Sequence, residues 1–135
     1  MFADGSELFL IYNGGNLYLA IRANTTEMIV GNIFINRSDE IVILHASAAL
    51  GTAIYKKGAN DWQKIQGFTW HCRDTGNSDA AQVERSAFLQ QEHWLTANSR
   101  MGSPEELEYQ IELTGEILRL AVTFIKASNP NVKIF

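Results

Sequence analysis

Near the C-terminal end, Leu107, Tyr109, Ile111 and Leu113 alternate with Glu106, Glu108, Gln110 and Glu112. A period of two with one polar face predicts a strand half-covered by a core. Thr114-Gly115-Glu116 then predict a turn. In the run that follows, Leu118, Leu120, Val122 and Phe124 oppose Arg119 and Thr123, so the pattern predicts a hairpin. A second hairpin is expected at the other end, where LFLIY and LYLAIRA flank Asn13-Gly14-Gly15-Asn16, because glycines supply the positive φ angles of a tight turn.

Between these ends, MIVGNIFI and EIVILHA are rich in β-branched residues and flank the turn-forming Asn36-Arg37-Ser38-Asp39, which predicts a third and fourth strand. Thr52 to Lys57 and Phe68 to Arg73 read as weaker strands, separated by Gly58-Ala59-Asn60-Asp61 and by Gly67. One helix is expected around residues 79–94, with Val83, Ala87, Phe88 and Trp94 near helical spacing. Asp79 is the expected cap, and Gln82 three residues on completes a capping-box pattern. Six to nine short strands with one inserted helix predict a mainly β chain, an antiparallel β-sandwich of jelly-roll-like character, and not βαβ units. The 135 residues suit one domain spanning 1–135.

Composition narrows the classes of function. A hydrophobic share of 46% with 19% charged residues is that of a globular, soluble domain. The single Cys72 forbids an internal disulfide and any site built on paired cysteines. A net charge of -4 and a pI near 5.3 remove the electrostatic reason for binding nucleic acid. Asp4 and Glu7 precede the first apolar run, so no secretion signal is visible, and the expectation for a complete chain is the cytoplasm. No apolar run approaches the roughly 20 residues that span a bilayer. Asn24-Thr25-Thr26 and Asn36-Arg37-Ser38 match the N-glycosylation pattern, a three-residue match that arises often by chance.

Candidate chemistry concentrates in Trp70-His71-Cys72-Arg73-Asp74. On a strand, Trp70 and Cys72 face one way and His71 and Arg73 the other, which sets Cys72 and His71 badly for nucleophilic catalysis. His71 and Arg73 are candidate donors to an anionic or hydroxylated ligand, against the blander reading of a solvated face. His45 and Ser47 share a strand face within the small-residue stretch ending at Gly51, but no Gly-x-Ser-x-Gly elbow or acidic orienter accompanies them. Trp62, Trp70 and Trp94 offer flat indoles on which a sugar ring could stack, although core packing is the commoner role. His45, His71 and His93 are too far apart in sequence for a metal-spacing rule, so no metal is expected. Glu106, Glu108 and Glu112 read as a solvated row of carboxylates.

The blocks GNLYLAIRA, DEIVILHA and ELEYQIELTGEILRLAVTFI are similar to strand patterns of the DOMON superfamily and of family 9 carbohydrate-binding modules. That resemblance implies a β-sandwich module that binds a sugar or haem, commonly within a secreted or surface protein. Haem-binding members use a methionine and a histidine as axial ligands. Met28, His45 and Met101 are residues of those types, yet they do not align to those positions, so no haem or other cofactor is carried over.

Three expectations follow. The first is a non-catalytic module for a carbohydrate or similar hydroxylated small molecule, with Trp62, Trp70 and Trp94 stacking and His45, Ser47, His71 and Arg73 hydrogen-bonding. The second is a protein-interaction or homo-oligomeric β-domain, because the first hairpin is apolar on both faces: Leu8, Leu10 and Tyr12 on one, Phe9 and Ile11 on the other. The third is a small enzyme, hydrolase-like, using His45 or His71 as general base, for which no acid, base and orienter can be named together.

Overall fold

The alternating segments form nine strands and one helix in a computed structural model that describes residues 2–47, 49–72, 78–99, 103–117 and 119–126. Strand β1 (Glu7–Asn13) turns through Gly14 and Gly15, both at positive φ, into β2 (Asn16–Arg22). The chain then builds β3 (Ile29–Arg37), β4 (Glu40–Ala46), β5 (Ala49–Lys57) and β6 (Trp62–Cys72). Helix α1 (Asp79–Glu92) leads to β7 (Trp94–Ser99), β8 (Ser103–Glu112) and β9 (Arg119–Lys126).

Two antiparallel sheets result, ordered β1-β2-β8-β7 and β6-β5-β4-β3-β9. Alternate residues of each turn inward and meet in one core. Leu19, Ile21, Leu107, Tyr109, Ile111 and Trp94 come from the first sheet, and Ile33, Ile35, Leu44 and Leu50 from the second. The fold is thus the expected antiparallel β-sandwich with an inserted helix. Strands β3 to β6 form a meander, and the chain changes layer after β2, through α1, and after β8.

Four local expectations are corrected. The C-terminal hairpin does not form: β8 pairs with β2 and β7, while β9 pairs with β3 in the opposite layer. Both strands present an apolar face to the same core, and alternation alone cannot separate a hairpin from a corner that crosses between layers. The helix is capped by Ser78, whose hydroxyl accepts the amide of Ala81 at 3.3 Å, one residue before Asp79. His93 adopts a left-handed conformation that ends the helix, so Trp94 begins a strand. Finally, Gly67 does not separate strands, because β6 runs on through register shifts beside Thr52, Ile54 and Tyr55.

Close approach of the layers explains one glycine. A Cβ on Gly31 would lie 2.5 Å from Leu107 Cδ2 and 2.6 Å from Tyr109 Oη, so β3 and β8 pack at a distance only a hydrogen permits.

Candidate functional site

The residues singled out from sequence separate into several environments. On the outer face of the second sheet, Trp70 pairs with Gly51 and Gly51 with His45. The space left by the missing Cβ of Gly51 is filled by Phe68 and Trp70. Their rings stack at 5.0 Å, and His45 meets Trp70 edge-on at 5.3 Å. Trp70 remains 56% exposed, whereas His45 is buried beneath the aromatic pair. His45 Nδ1 lies 2.8 Å from Asn32 Oδ1, so the ring nitrogen donates and the amide oxygen accepts. Burial penalises the imidazolium and pushes the His45 pKa below its usual value, which keeps the ring neutral at neutral pH.

His71 pairs with the core residue Leu50 and therefore faces inward, away from Trp70. Its ring packs on Phe88 of α1 at 4.7 Å, and its Nε2 is buried without a hydrogen-bond partner among the described residues. Trp94 is only 1% exposed, donates its indole N–H to Thr52 Oγ1 at 2.9 Å, and touches Phe88 and Tyr109. It is a core residue joining the two sheets. Trp62 is half-buried and pairs with Lys57 at the start of β6, about 25 Å along the strand from Trp70. Ser47 shapes the turn into β5: its hydroxyl donates to Ala49 O at 3.0 Å and accepts the Ala49 amide at 3.2 Å. Arg73 and Met101 lie outside the described residues. The six described ligand candidates thus form no common constellation. His45 and Trp70 meet, and His71 and Trp94 share the opposite side through Phe88.

Two hollows stand out instead. The first, about 360 Å³, lies on the outer face of the first sheet. Phe9, Ile11, Tyr18, Ala20, Leu95 and Ala97 give it an apolar floor, with Glu108 and Gln110 alongside. Phe9, in turn, carries the Arg22 guanidinium 5.6 Å from its ring centroid, and Arg22 is bonded to Glu106 at 2.8 Å. The second, about 300 Å³, opens at the end of the sandwich between the layers. Its floor includes Ile35, Thr52 and Trp94, and its rim carries Arg37, Glu40, His93 and Glu112. Arg37 Nε is buried there without a hydrogen-bond partner among the described residues, while His93 Nδ1 sits 2.9 Å from Glu112 Oε2.

The first hollow continues onto the most unusual surface of the molecule. Along β1, Phe9, Leu10, Ile11 and Tyr12 are all exposed, Ile11 at 65% and Tyr12 at 68%. The sequence marked both faces of this strand as apolar. It did not single out Tyr18 and Leu95, although LYLAIRA, like LFLIY, is apolar on both faces. Among the described residues, no group of three or more His, Cys, Asp and Glu converges as metal ligands, and no helix is long and apolar enough to cross a membrane.

No family model, no curated protein and no solved structure matches this chain.

Proposed function

We propose that this chain is a protein-interaction β-domain that works through its first hairpin. The observation that carries this reading is the run Phe9-Leu10-Ile11-Tyr12, four consecutive exposed large apolar side chains on an edge strand. Isolated exposed apolar residues are ordinary on protein surfaces, but a contiguous patch is a mark of an interaction site. An edge strand also offers unpaired N–H and C=O groups, which lets a partner add a strand and rest side chains on both faces at once. The apolar hollow beside Tyr18 and Leu95 extends that surface on the outer face. Titration of the labelled chain with a panel of extended apolar heptapeptides, followed by amide chemical shifts, tests the reading. Shifts centred on Leu8, Leu10 and Tyr12 are expected, and a panel that leaves β1 unmoved contradicts it if the chain also stays monomeric.

A second reading, a site for a small hydroxylated or carbohydrate-like ligand, is favoured by the cleft between the layers. There the buried Nε of Arg37 faces the end of a core that includes Trp94, in a hollow the size of a small-ligand site. Sugar titrations should then move Arg37, His93 and the Trp94 indole. Movement of Trp70 and His45 alone would place such a ligand on the outer face of the second sheet instead.

A further inference from the structure

We infer that the partner of β1 is β1 of a second copy of this chain, paired antiparallel about Leu10. This rests on the reading of the first hairpin as an interaction surface, and it adds the identity and register of the partner.

The backbone sets the register. The two-residue turn makes Asn13 and Asn16 a hydrogen-bonded pair. Alternation along an antiparallel ladder then gives the same to Ile11 with Tyr18, Phe9 with Ala20 and Glu7 with Arg22. The intervening Leu8, Leu10 and Tyr12 therefore turn their N–H and C=O groups to the open edge. If a second β1 approaches antiparallel with Leu10 opposite Leu10 of the second copy, those are the residues that exchange hydrogen bonds: Leu10 with its counterpart, and Leu8 with Tyr12 of the second copy on either side. Phe9 then faces Ile11 of the second copy on the outer face, beside the hollow.

Charge supports the same arrangement. Glu7 is the only charged residue of β1, and in this register it lies opposite Asn13 of the second copy. A parallel pairing would set the two Glu7 carboxylates side by side, which is unfavourable.

The other edges are poorer templates. Strand β6 is interrupted by register shifts and carries Lys64, β9 has Arg119 and Lys126 at its ends, and β7 lies against α1. Strand β1 has none of these protections: its register with β2 is unbroken, and it holds no proline, lysine or arginine. The exposed apolar side chains of this one strand are far fewer than the roughly 20–30 residues a side of a standard interface. A weak, concentration-dependent dimer is the consequence.

Sedimentation velocity on the full chain from about 5 to about 500 μM, the range in which a micromolar association is half-formed, tests the pairing. The mass should rise towards that of two copies. Leu10→Pro removes an N–H that faces the open edge and is not needed by β2, so the hairpin stays folded while the dissociation constant rises at least ~tenfold. Ile11→Lys, on a largely exposed side chain, should weaken the dimer by a similar factor without touching the backbone. A dimer that both variants leave unchanged overturns pairing through β1. A chain that stays monomeric throughout overturns the second copy as partner. In that case shifts of Leu8, Leu10 and Tyr12 with the heptapeptide panel keep the interaction reading, and their absence removes both.

Discussion

Trp94 Nε1 donates to Thr52 Oγ1 at 2.9 Å, a buried hydrogen bond that links the first sheet to the second through the core. Neither partner has water as an easy substitute. Thr52→Val keeps the shape of the side chain and removes the acceptor, leaving the indole N–H unsatisfied. The expected loss is about 1–3 kcal/mol of unfolding free energy, measured by chemical denaturation. A change close to zero would show that this bond does not help to hold the layers together.

Gly31 is needed because Leu107 and Tyr109 occupy the space a side chain would fill. Gly31→Ala forces both of these buried residues to move, at a cost of about 1–3 kcal/mol. The same substitution at Gly67, where a new Cβ meets nothing, should cost far less. Thermal denaturation of the two variants side by side checks the contrast, and equal losses would contradict it.

The buried His45 makes stability depend on pH. Its folded pKa lies below the unfolded value of about 6.5, because burial disfavours the charged ring. The unfolded chain therefore binds more protons as the medium acidifies. The stabilisation due to the neutral ring is complete above pH 6.5 and is lost progressively as pH falls from there towards the folded pKa. Unfolding curves of the parent and of His45→Gln, taken between pH 7.5 and 5, should converge towards the acid end. Parallel profiles would mean that His45 titrates as an exposed imidazole.

The extent to which the chain was legible follows from what each signal physically encodes. Asn13-Gly14-Gly15-Asn16 specifies its own hairpin, since the backbone angles of the turn are local, and β1 and β2 appear where the pattern places them. The pairing of β8 and β9 is not local. Their apolar faces specify which side is buried but not which strand lies alongside, so a crossing between layers reads like a turn. Strand β7, WLTANS, was invisible because its inward face carries one large apolar residue, Trp94, followed by Thr96. At the site, alternation along β6 correctly set Trp70 and His71 on opposite faces. It could not show that His45 would lie under Trp70, which depends on the register of β4 with β5 and of β5 with β6. The double-faced apolar pattern of β1 was legible at once. That the strand would sit at an edge, with Leu10 and Tyr12 beyond the cover of the second sheet, required the topology.

Hydrogen exchange at the amides of β1 is the most direct test of an edge used for association. At low concentration Leu8, Leu10 and Tyr12 should exchange quickly, while Phe9 and Ile11, bonded to β2, exchange slowly. As concentration rises, or as an extended peptide binds, protection should appear at Leu8, Leu10 and Tyr12 and leave the alternate residues unchanged. Outward amides that remain unprotected at every concentration and with every peptide would show that this edge recruits no strand.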